Sequence, residues 1–199
     1  MKTPIYIILL FIFSIVSCNA QSPVLPLYNQ NEIINGAYYK DTENELDKFV
    51  GTWINTNGNT SLTVIFEKKL QVYNDEWYED LLIGEYRYTV NGREIVNTFL
   101  DLNIADPNYH SIAGNEIIFK NDRPSCSECT PTERRILMFF DDSDPQRKHL
   151  SSYLAIRYVD VNGLEKIEAK LVSIGTTATL EGSPTEPRVP YGDYVLVKQ

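Results

Sequence analysis

Few residues in this chain are equipped for chemistry. Cys126 and Cys129 stand in Pro124-Ser125-Cys126-Ser127-Glu128-Cys129-Thr130-Pro131, a spacing open to a local disulfide, a redox thiol pair or half of a zinc site. A redox thiol wants a helix N-terminus to lower its pKa, whereas this pair lies between two strand patterns and is followed by Pro131 and the charged Glu133-Arg134-Arg135. A structural zinc wants four N or S ligands, and no second CxxC lies nearby. In an oxidising compartment a Cys126–Cys129 disulfide stapling a loop is the expected outcome. The two histidines, His110 and His149, sit in polar surroundings far apart, neither beside a plausible nucleophile. No G-x-S-x-G elbow, H-E-x-x-H helix or Walker loop is present. Among 27 acidic residues nothing marks the convergent pair a glycosidase needs. Asp141-Asp142-Ser143-Asp144-Pro145 offers oxygens, but calcium takes about six to eight, so the segment reads as a turn. Asn55-Thr56-Asn57-Gly58-Asn59 offers only neutral amides and reads as a hairpin. No catalytic residue, metal ligand or cofactor is assigned, and an enzyme is not expected.

The third cysteine has a different chemistry. Lys2, an apolar run from Ile5 to Val16, then Ser17 and Cys18 have the layout of an export signal, and the run is too short to span a bilayer as a helix. Ile15-Val16-Ser17-Cys18 resembles the lipobox of bacterial lipoproteins, which implies a diacylglycerol on Cys18 and a mature chain beginning there. The competing outcome is ordinary cleavage after Ala20, releasing a secreted product. The expected organisation is a signal peptide over 1–17, a Pro-containing tether over 18–40 and one domain over 41–199. The expected location is the periplasm, outer membrane or cell surface, with the N-terminal lipid as the membrane contact.

Loss of Lys2 with the signal takes the formal net charge from −9 to about −10. That acidity, without a lysine and arginine cluster, excludes nucleic acid as a partner. Thirteen Tyr and eight Phe in a chain of this length suit a single globular core rich in strands.

The elements that must position these residues are read from periodicity. Asp41 to Val50 pairs Thr42 with Glu45 as a capping box and spaces Leu46, Phe49 and Val50 for one short helix. Beyond Gly51 the pattern is strands. Leu62, Val64 and Phe66 alternate with Thr63, Ile65 and Glu67, and Tyr86, Tyr88 and Val90 with Glu85, Arg87 and Thr89. Further runs cover 94–100, 116–120, 135–140, 152–159, 165–173, 176–180 and 191–198. Asn57-Gly58, Asn91-Gly92 and Asn162-Gly163 suit type I′ turns, so neighbouring strands run antiparallel. The fold class is all-β: a meander of about 8–10 strands closing into a barrel, which removes exposed edges.

Phe49-Val50-Gly51-Thr52-Trp53, leading into the first strand, resembles the G-x-W entry of lipocalins and related calycin barrels. The resemblance implies that Gly51 bends the chain into the barrel and Trp53 plugs its closed end. Lipocalins pack an arginine near the chain's end against that tryptophan; here Arg157 or Lys198 has to substitute. The stretch Gly51 to Phe66, with the Ser17-Cys18-Asn19-Ala20-Gln21 exit, also resembles an uncharacterised family of exported Bacteroidota lipoproteins, which implies an address and a fold but no activity.

Tyr73, Trp77, Tyr78, Tyr86 and Tyr88 crowd the second and third strands. Facing inward they would line a cavity for a small apolar or amphipathic ligand; at a rim they would stack on sugars or dock a protein. The expected function is therefore a membrane-anchored, non-catalytic barrel with an interior ligand. The alternative is a protein- or glycan-interaction module on the same scaffold without one.

Overall fold

The computed structural model describes residues 22–28, 33–176 and 181–199; the signal segment, Cys18 and Ala20 lie outside them. The described strands are β1 (Val24–Pro26), β2 (Tyr38–Lys40), β3 (Gly51–Asn57), β4 (Thr60–Tyr73), β5 (Tyr78–Val90), β6 (Arg93–Asn97), β7 (Ile112–Ile118), β8 (Arg135–Phe140), β9 (Leu150–Val161), β10 (Leu164–Thr176) and β11 (Gly192–Lys198). Eight of them, β3, β4, β5, β7, β8, β9, β10 and β11, form an antiparallel barrel. It closes where Lys198 of β11 pairs with Trp53 of β3, and where Leu82 to Gly84 of β5 pair with Ile112 to Gly114 of β7.

Turn chemistry sets this order. Asn91-Gly92 and Asn162-Gly163 both hold positive φ at the two central residues, the signature of type I′. The first hairpin differs: the register pairs Asn57 with Thr60, so its loop is Gly58-Asn59, and only Gly58 has positive φ. That is the type II′ pattern, with glycine at the first central position, rather than the expected type I′ over Asn57-Gly58.

Alternation decides the faces. Leu62, Val64 and Phe66 of β4, Leu82 and Tyr86 of β5, Met138 and Phe140 of β8, Leu154 and Ile156 of β9 and Ile167 and Leu171 of β10 are buried together inside. Gly84 lies opposite Phe66, and a Cβ there would stand 2.7 Å from the Phe66 ring, so the absent side chain makes room for the phenyl. Gly114, at φ +153, marks the bulge where β7 leaves β5; a Cβ there would meet the Met138 Cα at 2.9 Å.

Two expected elements are corrected. The helix over Asp41–Val50 is only a 3-10 turn at Asp47–Phe49. The Asp41 carboxylate, rather than Thr42, accepts from the backbone N–H groups of Glu45 (2.8 Å) and Leu46 (3.0 Å), and Asn44 sits at φ +56, which interrupts any helix. The tether is also shorter than expected. β1 pairs in parallel with β2 and β2 in parallel with β5, and Leu27, Ala37 and Tyr39 are buried, so the described residues 24–28 and 37–40 are built into the domain. Of the expected strand over 176–180 only Thr176, the last residue of β10, is described; 177–180 lie outside the described residues.

Candidate functional site: the outer wall of the barrel

The lumen was the expected ligand site, and it is occupied by the protein's own side chains. The space left among Leu62, Phe66, Phe140, Leu154, Leu171 and Val189 is about 10 Å³, far below the roughly 300 Å³ at which ligand pockets begin. Tyr86 and Tyr88, expected as ligand contacts, are core residues at 0% and 8% exposure, and the Tyr86 ring packs on Phe140 at 4.9 Å. Burial pushes the Tyr86 phenol well above its ordinary pKa.

Both ends of the barrel are shut. At one, Trp53 is fully buried, its Nε1 donates to the Phe49 carbonyl at 2.7 Å, and Tyr158 meets it edge-on. Of the two expected substitutes for the lipocalin arginine, Lys198 takes the place: its Nζ lies 5.4 Å from the indole centroid and pairs with Glu165 at 2.9 Å. Arg157 instead points outward to Glu133 and Glu168.

At the other end Val189 plugs the lumen, 1% exposed, and the neighbouring Arg188 donates to Asp142 from Nε (2.8 Å), Nη2 (2.5 Å) and its backbone N–H (2.6 Å). Burial opposes ionisation of Asp142, but the Arg188 guanidinium and the N–H groups of Arg188 and Asp144 outweigh it and hold the carboxyl below its ordinary range. The acidic run that might have been an ion loop is thus a turn consumed by arginines: Asp144 accepts from Gln146 N–H and pairs with Arg147.

The remaining reactive groups are sealed or structural. His110 and Glu85 form a fully buried pair, Nδ1 to Oε1 at 2.9 Å, where neither meets solvent. His149 Nε2 bonds the Pro184 carbonyl at 2.7 Å. Cys126 and Cys129 form the disulfide. Beneath its loop the buried Arg135 donates to the carbonyls of Pro124 (2.6 Å) and Phe119 (2.5 Å), ordering the loop through backbone contacts. Among the described residues no three His, Cys, Asp or Glu side chains gather as a metal site.

On the outside of the wall two clefts open among the described residues. The larger, about 390 Å³, runs between the disulfide loop and the outward residues of β9, β10 and β11. Several of its charges are paired: Arg157 with Glu133 and Glu168, Lys170 with Asp193 at 3.6 Å. The smaller, about 250 Å³, opens at the fork where β7 diverges from β5, between Trp77 and Glu79 on one side and Asn115, Glu116, Phe139 and Tyr153 on the other. Phe139 and Tyr153 are cross-strand partners of β8 and β9, with ring centroids 5.1 Å apart, and Phe139 is 60% exposed. Glu79 is held by Asn74 (3.0 Å) and Asn115 (2.8 Å), and Asn115 donates again to the Asp80 carbonyl (2.9 Å).

The five aromatics expected as one cluster are therefore split. Tyr86 and Tyr88 fill the core; Tyr73 and Tyr78 pair with each other at 5.0 Å at the far end of the β4–β5 ribbon; Trp77 alone lines the fork cleft, edge-on to Tyr39. Phe139, Tyr153 and Asn115 escaped sequence reading. Ile136 to Phe140 is an unbroken apolar run, which reads as a strand covered on both faces and hides the fact that Phe139 faces out.

The whole chain, residues 1–199, matches the model of a family of unknown function (DUF6705), and the protein belongs to that family. No curated protein and no solved structure matches it.

Proposed function

We propose that this protein is an exported, lipid-anchored and non-catalytic barrel that recognises its ligand on the outer wall, the barrel itself being a scaffold. One observation carries the reading: the lumen keeps about 10 Å³ while the outer clefts keep about 250 and 390 Å³. The burial of the Glu85–His110 pair supports a non-catalytic role, since acid–base chemistry needs a group within reach of substrate. Export and anchoring rest on the Lys2, Ile5–Val16 and Cys18 pattern. Val24 is six residues from Cys18, so an acylated Cys18 would hold the barrel within about 20 Å of the lipid surface. Native mass spectrometry of protein extracted from membranes tests this reading. The expected mass is that of the chain from Cys18 carrying its acyl groups, with no small apolar molecule retained. A stoichiometric apolar molecule released on unfolding would overturn the outer-wall reading, and an unmodified chain starting at Gln21 would overturn the anchor.

A further inference from the structure

We infer that the fork cleft beside Trp77 is a carbohydrate site, taking a neutral sugar ring on Phe139 and Tyr153 and holding its hydroxyls on Glu79, Asn115 and Glu116. This assignment rests on outer-wall recognition and names the ligand class.

The apolar part is a platform. Phe139 and Tyr153 occupy one cross-strand position on adjacent strands, so both rings stand on the same outward face, their centroids 5.1 Å apart and their planes tilted by 57°. Near the end of β8, Phe139 stays 60% exposed and so forgoes most of the stabilisation that burying its ring would contribute; stability does not account for its placement. Trp77, packed edge-on to Tyr39, also lines the cleft.

The polar part is a set of acceptors. Both amide protons of Asn115 are used, on Glu79 Oε2 and on the Asp80 carbonyl, which leaves its Oδ1 as an acceptor. Glu79 is fixed by Asn74 and Asn115, and Glu116 is exposed at the rim. Among the described residues no lysine or arginine lines the cleft, so an anionic ligand would meet uncompensated carboxylates. The complementary ligand brings hydroxyl donors together with a flat C–H face, which describes a neutral saccharide. A cationic group would also bring donors and favour aromatic faces. It is the weaker fit, because the Glu79 charge is already shared with two amides, Glu116 is solvated, and the Phe139–Tyr153 pair lies along one wall instead of enclosing a point. At about 250 Å³ the cleft suits a sugar unit within a longer chain passing along the open wall.

The test is titration of the detergent-solubilised full-length protein with neutral gluco-, manno-, galacto- and xylo-oligosaccharides, followed by saturation-transfer NMR and calorimetry. At least one series is expected to bind with a Kd of about 0.1–1 mM. Phe139→Ala should weaken binding about tenfold, Phe139→Trp should retain it, and Glu116→Gln should weaken it about threefold, with unchanged thermal unfolding of Glu116→Gln and Phe139→Trp as the control for folding. The assignment is overturned if no oligosaccharide binds below about 10 mM, if binding is indifferent to Phe139→Ala, or if tetramethylammonium binds there in preference to every sugar. Any of these outcomes leaves outer-wall recognition standing, because that reading falls only to an apolar molecule found within the folded barrel by mass spectrometry.

Discussion

Phe66 and Phe139 are the same residue type on strands of the same barrel, one 2% exposed and the other 60%. Phe66 fills a place that Gly84 vacates; Phe139 stands on the outer wall with Tyr153 as its aromatic neighbour. The difference teaches that aromatic content in a small barrel is spent twice, on closing the lumen and on furnishing the wall. Strand parity decides which face each ring takes.

The largest expected effect falls inside. Phe66→Ala should lower the unfolding free energy by about 3–5 kcal/mol, measured by urea denaturation, because the filled lumen cannot collapse around the lost ring. A loss below about 1 kcal/mol would mean that the core is looser than its packing indicates.

The plugged end comes next. Arg188→Ala leaves the Asp142 carboxylate buried without its partner, at an expected cost of about 2–4 kcal/mol, short of the fully buried limit because the guanidinium is partly exposed. The pH dependence has a definite sign. A carboxyl whose native pKa lies below its ordinary value of 3.8 contributes its full stabilisation above that value and loses it as pH falls through the native pKa. The stability gap between wild type and Asp142→Asn should therefore be constant at neutral pH and narrow in thermal melts below about pH 4. A gap that stays level into strong acid would show that the Arg188–Asp142 pair does not hold the plug.

Outside, the effect on stability should be small. Phe139→Ala should cost at most about 1 kcal/mol, in sharp contrast to Phe66→Ala, while removing the saccharide platform. Equal losses at the two positions would erase the distinction between core and wall. The smallest change is expected at the Trp53 end, where Lys198→Met should cost about 0.5 kcal/mol in the same denaturation, since a half-buried cation over an indole, paired with a partly exposed carboxylate, contributes little.

Much of the barrel was legible in the chain. The alternation over Leu62–Phe66 and Tyr86–Val90 located β4 and β5 and their inward faces, and the Asn-Gly pairs located three hairpins. The G-x-W stretch pointed to Trp53 at a closed end, and Lys198 was one of two residues named to cover it. The misreadings have local causes. Thr42 and Glu45 have capping-box spacing, but the buried Asp41 is a stronger acceptor at the same N–H groups, and Asn44 turns the chain out of helical geometry. The short strands at 24–26 and 38–40 carry no period long enough to be seen, and only pairing with the protruding start of β5 orders them.

The candidate site was far less legible. Trp77 was named, but the aromatic residues across the cleft come from strands 60 and more residues away, and no spacing rule joins Trp77 to Phe139 and Tyr153. Residue types and their order determined the strands, turns, paired cysteines and buried faces, because these depend on interactions among neighbours and on a period of two. Closure decided the rest: how far the lumen fills, which end Val189 plugs, and where β7 parts from β5 to open a cleft. Those outcomes depend on the stagger of the closed sheet and on summed side-chain volume, quantities that exist only once the barrel's first and last strands have met.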